Sequence, residues 1–569
     1  MNSSQSNSFQ AIAGAYKGKH PASAEELNPY RRKLFLVIDS VPEMQRALAM
    51  TLGSFGAERV EYASRGNDAL AKLARYDFDV VLCDYDLGNG YDGLYLFEEA
   101  RERNLLKQSC VFMIVTGERR AQRVISAAEM APDEYLLKPF TGEELRLRLE
   151  RAIRRREAFR VVDDALMRFE YMAAAEACSK QIQDKSEFAL DFMRLKGNLS
   201  LKIGDWDSAK KLYVEVLRLK PLPWARLGLA KALTGLKSYD EARMLFEQVL
   251  QDNDRVMEAY DWLAKIHLAN HDGAQAQLNL QQATCLSPVV VRRQKQLGEV
   301  AFANGDLATA EAACSTTLTL AKHSWHRQPA LYAQLARVQL AQRDSVAAGK
   351  TLAGLRRDYK HDDAGNWVAD VIDSQLQQQA GNKSKAAQLL ASTAERLPQL
   401  EGKLGVEARM EYARACYSLA RPDLGDEVAR TLVRNHHDDE ALLESLGCLF
   451  DQVGRTEAGR ELIAENVQSV VNLNNAAVRE AQAGHYEQAV SLFGKAYAEL
   501  PDNVQVMLNT SNAIIALVYR QGWHESHVRA GHAMLGRVRT LQPSSSKFQK
   551  IMQAWNSLME QQGRREWLV

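Results

Sequence analysis

Four alanines, Ala209, Ala242, Ala276 and Ala310, stand 33, 34 and 34 residues apart. A period of this length constrains the fold more than any single motif, because one such unit is too small to bury a core and must stack on its copies. The surrounding residues repeat as well. Gly204-Asp205-Trp206-Asp207-Ser208-Ala209 with Tyr213 and Pro221 recurs as Tyr239-Asp240-Glu241-Ala242 with Phe246. It returns at Ala276, Ala283 and Pro288, and again at Leu297-Gly298, Gly305-Asp306-Leu307 and Ala310. The clearest copy lies far downstream, at Gly484-His485-Tyr486-Glu487-Gln488-Ala489 with Phe493, Ala496 and Pro501. Each residue type has a packing reason. Small residues let two helices approach, the aromatic fills the groove between neighbours, and proline stands where a helix must end.

This pattern resembles tetratricopeptide repeats. The resemblance implies an all-α solenoid over residues 161–569, with about nine helical hairpins and an apolar helix from Phe548 to Met559 as cap. The spacing loosens between Ala348, Ala386 and Gly425, and the match is degenerate around Leu446-Gly447 and Gly454. Solenoids of helix pairs bind peptides or partner proteins on a concave face built largely by the first helices. Lys196 and Asn198 on one such helix, and Asn474, Asn475 and Arg479 on another, are the candidates for partner binding. The histidines form no metal-binding spacing.

The N-terminal part follows a different rule. Leu34-Phe35-Leu36-Val37-Ile38, Val60 to Ala63, Val80-Val81-Leu82-Cys83, Val111 to Val115 and Glu134 to Leu137 are short strand-like runs. Amphipathic segments follow them: one opened by Pro42, one capped by Asn67, one over Gly93 to Asn104, one over Ala121 to Met130, and one begun by Thr141-Gly142-Glu143-Glu144. Five alternations of strand and helix predict an α/β fold, a doubly wound, flavodoxin-like sheet of five parallel strands. In such sheets ligands bind beyond the carboxyl ends of the strands. Four of those ends carry Asp39, Asp84, Thr116 and Lys138, so residues a hundred positions apart are expected to share one site.

Leu36-Val37-Ile38-Asp39, Val81-Leu82-Cys83-Asp84, Val115-Thr116-Gly117 and Tyr135-Leu136-Leu137-Lys138-Pro139-Phe140 together resemble the receiver domain of two-component response regulators. The resemblance implies that Asp84 accepts a phosphoryl group from a phosphohistidine on a sensor histidine kinase or phosphotransfer protein. It further implies that Thr116 binds a phosphoryl oxygen, Lys138 pairs with the phosphate, Tyr135 reports the change by rotating inward, and the Lys138-Pro139 peptide is cis. The chemistry suits these residue types: phosphoryl transfer needs an in-line oxygen nucleophile and cations to offset charge on the equatorial oxygens. Two departures stand out. Receivers usually carry two acids after the first strand to hold Mg²⁺, and here the second position is Ser40, a neutral and poorer ligand. Asp39, Asp84 and the backbone carbonyl of Asp86 remain as a partial shell. The turn after Asp84 is one residue longer than usual, with Gly88 where proline is common. Asp84-Tyr85-Asp86 is also the DxD of haloacid-dehalogenase-type phosphatases, but it follows the third strand and no acidic motif succeeds Lys138.

Composition adds exclusions. The 72 basic residues balance the 72 acidic ones, so no global field draws the chain to nucleic acid or a membrane. Seven cysteines without CxxC or CxxH spacing read as structural thiols of a reduced, cytoplasmic protein. No uncharged apolar stretch reaches the ~18 residues of a membrane span. Residues 1–30 read as a disordered tail, 31–142 as the receiver, and 143–160 as its last helix running into a connector. Seven arginines in that connector are expected to lay their stems on apolar surface with solvated heads. The expected function is a phosphorelay response regulator acting through protein interactions, not an enzyme in its own right. The alternative is a pseudo-receiver adaptor that binds kinases without being phosphorylated.

Overall fold

The computed structural model describes residues 28, 30–88, 93–117, 132–322, 324, 326–400 and 402–569. Residues 1–27 and 29 of the anticipated tail and the helix anticipated over Ala121 to Met130 lie outside these residues, whereas Tyr30, counted with that tail, is 3% exposed and packs against Phe35 and Phe55, because its ring completes the core of the first unit. Two compact units divide at Arg160 and Val161.

The first unit is built on β1 (Leu34–Ile38), α1 (Pro42–Ser54), β2 (Arg59–Ala63), α2 (Gly66–Arg75), β3 (Val80–Cys83), α3 (Gly93–Glu102), β4 (Val111–Thr116), β5 (Glu134–Leu137) and α4 (Gly142–Glu157). Strand order is β2-β1-β3-β4-β5, every pair parallel. All residues of β3 and β4 are buried, as a sheet covered on both faces requires. Phe35, Val37, Leu82, Met113 and Val115 pack with Leu48 and Leu52 of α1 and Leu145 and Leu149 of α4. Phe112 stacks on Phe97 of α3 at 4.5 Å between ring centroids.

Local chemistry sets the element ends. Pro42 opens α1 without losing a hydrogen bond, since the first N–H of a helix has no partner anyway. Thr141 Oγ1 caps α4 by accepting from Glu144 N at 3.1 Å. Asn67 does not cap α2, which begins one residue earlier at Gly66. In the connector several guanidinium heads are paired with carboxylates while the side chains stay partly exposed, Arg160 at 58% and Arg156 at 24%. Arg156 Nε donates to Asp133 at 2.5 Å, and Arg160 pairs with Asp79 at 2.8 Å.

The second unit opens with α5 (Arg160–Met167) and α6 (Tyr171–Gln183). Hairpins follow: α7 (Ala189–Lys202) with α8 (Trp206–Leu219), α9 (Pro223–Gly235) with α10 (Tyr239–Asp252), α11 (Met257–Ala269) with α12 (Gly273–Leu286), and α13 (Val291–Ala303) with α14 (Leu307–Ala321). The array continues through α15 (Pro329–Ala341) with α16 (Ser345–Asp358), α17 (Asp363–Gln379) with α18 (Lys383–Arg396), and α19 (Val406–Ser418) with α20 (Pro422–Asn435). It ends with α21 (Glu440–Gln452), α22 (Thr456–Gln482), α23 (Tyr486–Glu499), α24 (Val504–Gln521), α25 (Glu525–Leu541) and α26 (Ser546–Gln561).

One backbone device recurs at the turn inside nine hairpins. Gly204, Lys237, His271, Gly305, Arg343, Gly381, Ala420, Gly454 and Gly484 all have φ between 56° and 85°. At each turn the next N–H reaches back into the helix just ended, as in Asp205 N to Ser200 O and Arg421 N to Cys416 O. That pairing uses a carbonyl left orphaned by the helix end and reverses the chain in two residues. Four of the nine positions lack the glycine that makes this conformation easy, so the turn persists without the residue that would mark it in the sequence. The degenerate stretch near Gly454 has a further cause. The 27-residue α22 closes one hairpin with α21 and opens the next with α23, so no loop separates the two repeats.

The last helix touches the start of α6 and the turn before it. Gln549 of α26, 1% exposed, donates to the carbonyls of Phe169 at 2.6 Å and Pro543 at 2.7 Å. Its Oε1 accepts from Met172 N at 3.4 Å.

Candidate functional site

The carboxyl edge of the first unit's sheet gathers the expected residues by register. Ile38 pairs with Ala63 and Cys83, Cys83 with Ile114, and Thr116 with Leu137. One more backbone bond then carries the ladder past each strand end. Asp39 N donates to Ala63 O at 3.1 Å, Asp84 N to Ile38 O at 2.8 Å, and Lys138 N to Thr116 O at 2.7 Å. Side chains 54 and 99 positions apart therefore meet. Lys138 Nζ lies 2.7 Å from Asp84 Oδ2 and 3.1 Å from Asp39 Oδ2.

Asp39 is 1% exposed, and its Oδ1 accepts from Val41 N at 2.8 Å. Asp84 is half-buried. Burial pushes its carboxyl above the usual carboxylate range, and the Asp39 charge adds to this against the lowering by Lys138. Burial lowers the Lys138 ammonium, but hydrogen bonds and charge from Asp84 and Asp39 outweigh it and raise the group above its ordinary value. The site thus holds a firmly charged lysine against a carboxyl that ionises less readily than an exposed one. Thr116 is buried at the end of β4, and Tyr135 is half-buried with its hydroxyl oxygen buried. The Lys138-Pro139 peptide is cis.

The turn after Asp84 shows what Ser40 does instead of a second acid. Its Oγ donates to the Asp86 carbonyl at 3.4 Å, the same oxygen expected to complete a metal shell. The Asp86 carboxylate turns to its own loop, Oδ1 accepting from Gly88 N at 2.9 Å. No group of three or more His, Cys, Asp or Glu that could hold a metal occurs among the described residues.

Two residues that hold the site escaped sequence reasoning. Gln45 Nε2 donates to Asp39 O at 2.6 Å, Ala63 O at 3.2 Å and Ser64 Oγ at 3.0 Å, so one buried amide joins the ends of β1 and β2. Its signal was available: Gln45 begins the i, i+3, i+7 stripe completed by Leu48 and Leu52, where a polar residue needs a buried partner. Gly93 is the other. A Cβ there would fall 2.3 Å from Asp84 O and 2.8 Å from Cys83 Sγ, so only glycine lets α3 start this close to the site.

In the array, Asn198 is exposed and accepts from the Tyr213 hydroxyl at 3.1 Å, and Lys196 is half-buried on the same helix. Asn475 and Arg479 are exposed on α22, with Arg479 Nε donating to Asn475 O at 3.3 Å. Asn474 joins a chain not foreseen, accepting from Asn509 Nδ2, whose Oδ1 accepts from Lys547 Nζ, each at 2.5 Å. Among the described residues no hydrogen bond or ion pair links the α7 candidates to those on α22.

Comparison with known proteins gives this geometry a family. A response regulator receiver domain matches residues 35–150, and a tetratricopeptide repeat matches residues 194–256. Chemotaxis protein CheY-3 of Vibrio cholerae is 32% identical over 120 residues, covering 21% of this chain and 91% of that protein. Chemotaxis protein CheY1 of Helicobacter pylori is 34% identical over 116 residues, covering 20% and 92%. Among solved structures, a tetratricopeptide repeat protein from Parabacteroides merdae aligns with 42% of this chain and 92% of its own, at 13% identity and a TM-score of 0.29. The chain therefore belongs to the response regulator receiver family, with tetratricopeptide repeats following the receiver in the same polypeptide.

Proposed function

We propose that Asp84 takes a phosphoryl group from a histidine kinase or phosphotransfer protein and that the helical array delivers the output by binding another protein. The observation that carries this reading is the meeting of Asp39, Asp84 and Lys138 at one sheet edge, with the lysine 2.7 Å from the acceptor carboxylate. Asp84 Oδ is the nucleophile. Lys138 offsets charge that develops on the phosphoryl oxygens, and the Thr116 hydroxyl donates to one of them. Once formed, the phosphate draws Lys138 and Thr116 toward it, and Tyr135, on the strand that ends just before Lys138, carries the shift to the surface.

The donors present are hard oxygens of the kind Mg²⁺ takes: carboxylates of Asp39 and Asp84 and the Asp86 carbonyl, one negative charge short of the usual set. When bound there, Mg²⁺ supplies positive charge against the phosphoryl oxygens. Ser40 contributes a hydroxyl, so affinity for the ion is expected to be low.

A second reading has its own support. Lys138 already pairs with both acids and Ser40 occupies the Asp86 carbonyl, an arrangement equally suited to an adaptor that docks on kinases without phosphorylation. Intact mass after incubation with acetyl phosphate and Mg²⁺ separates the two. A single phosphoryl adduct, lost in Asp84→Ala, is expected. No adduct, or one that persists in the variant, leaves the adaptor.

A further inference from the structure

The second helices of the middle repeats carry a repeated pattern on the side turned away from their own helix pair. Ala242, Ala276, Ala310 and Ala348, on α10, α12, α14 and α16, are fully buried. The residues two before and two after each alanine lie four apart, so they share the helix face opposite it. Helix by helix these pairs read Asp240 and Met244, Ala274 and Leu278, Ala308 and Ala312, Val346 and Lys350. All eight residues are exposed, Met244 at 57%, Leu278 at 50% and Val346 at 70%. Large apolar side chains exposed side by side in this way mark an interaction surface.

Charge on these helices changes sign from one end of the row to the other. Helix α10 carries Asp240, Glu241, Glu247 and Asp252 against Arg243, whereas α16 carries Lys350, Arg356 and Arg357 against Asp358. Between them α12 has no charged residue, and Glu311, the one charge within α14, accepts from Gln339 Nε2 at 3.2 Å. Some of these groups are already paired: Asp240 and Glu247 with Arg243, Asp252 with Arg226, Arg356 with Asp370 and Asp373, and Arg357 with Asp358. Lys350 has no carboxylate within 4.0 Å among the described residues.

We infer that this outer face of α10, α12, α14 and α16 is the contact between two copies of the chain. A half-turn about an axis parallel to the helices, between α12 and α14, lays α10 on α16 of the second copy and α12 on its α14. The acidic end then meets the basic end twice, while Leu278 comes level with Ala312 and Ala274 with Ala308, a large side chain against small ones. Lys350 of the second copy comes level with Met244, about 6 Å along the helix from Asp240 and about 4.5 Å from Glu247, both within reach of a lysine stem. Helices of 14 or 15 residues are about 21 Å long and pack roughly 8–10 Å apart, so four of them offer roughly 600–800 Å², close to the ~800 Å² per partner of a standard interface. The flanking helices confine the contact to these four. Helix α8 carries Lys210, Lys211 and Arg218 against Asp207 and Glu215, and α18 carries Lys383, Lys385 and Arg396 against Glu395, so the two repel where they would meet. This self-contact goes beyond the phosphoryl reading and puts two Asp84 acceptors in one particle.

The test is sedimentation of the full-length chain from submicromolar to tens of micromolar, without acetyl phosphate. A concentration-dependent species of twice the chain mass is expected. Met244→Glu with Leu278→Glu should raise its Kd at least about tenfold, since the contact would bury unpaired charge, with circular dichroism showing an intact helical array. Glu247→Lys alone and Lys350→Glu alone should each weaken the dimer severalfold, and the two together in one chain should restore it, because the half-turn pairs each site with the other. That restoration is beyond any effect on folding. A monomer at every concentration, a dimer indifferent to the glutamate variant, charge variants that do not rescue each other, or a dimer formed only after acetyl phosphate treatment would overturn the inference. Adduct formation at Asp84, measured on the same preparations, tests the receiver reading separately.

Discussion

The two units reach stability and function by opposite routes. In the sheet, the site depends on partners 54 and 99 positions apart, brought level by strand register, so each side chain is placed by the whole unit. In the array nearly every contact runs between adjacent helices, and each hairpin repeats one turn conformation almost regardless of the residue in it. A fold assembled from distant partners must keep its motif residues where the chemistry needs them. One assembled from neighbours can let its signature drift, since each repeat needs only to stack.

The sharpest way to break this contrast is a matched pair of core truncations. Phe112→Ala in β4 should cost about 3–5 kcal/mol and unfold the first unit as a whole, while the array's thermal transition stays in place. Trp367 is equally buried, donates from Nε1 to Thr393 O at 2.9 Å and packs on Tyr412. Its replacement by alanine should raise hydrogen exchange in α17 to α19 and leave distant repeats protected. Uniform loss of protection along the array would end the comparison.

Gln549 is the next test, because it is a buried long-range contact that joins the last helix to the start of the array, alongside exposed long-range pairs such as Lys237 with Glu440. Gln549→Ala leaves the Phe169 carbonyl and the Met172 N–H without their partner, at about 1–3 kcal/mol. Faster exchange in both α6 and α26 is expected. Unchanged exchange in α6 would show the two ends to be energetically independent.

At the site, Ser40→Asp restores the missing charge. It should lower the Mg²⁺ concentration needed for phosphoryl adduct formation severalfold, a gain of about 1 kcal/mol. If the metal dependence does not move, another oxygen already fills the place, although the Asp86 carboxylate is engaged with Gly88.

The smallest effect belongs to the repeated turn. Arg343 has φ +62°, and glycine there removes a left-handed strain of about 1–2 kcal/mol while adding unfolded-state entropy of about 0.4–1 kcal/mol. Arg343→Gly should stabilise the array by less than about 1 kcal/mol in denaturant titration. Destabilisation would mean that its side chain contributes more than its backbone costs.

How much was legible follows from the same contrast. The five strands, their order of use and the four charged or hydroxyl-bearing ends could be read because apolar runs of strand length end at those residues. Gln45 was marked only as a polar residue on a buried stripe, its partners unknown, and the closeness of Gly93 to Asp84 O could not be read at all, since it depends on backbone atoms that the sequence does not locate. The helical period was plain where glycine and alanine mark it, but Lys237, His271, Arg343 and Ala420 hide the same turn behind ordinary side chains.

Residue pattern alone determined that this chain has a parallel sheet with acids and a lysine at its strand ends, followed by stacked helix pairs, because hydrophobic period and breaker residues are local properties. Tertiary structure decided which groups touch. It placed Lys138 between two carboxylates and gave the Asp86 carbonyl to Ser40. Those outcomes depend on distances between segments far apart in the chain, which burial and strand register set only after folding.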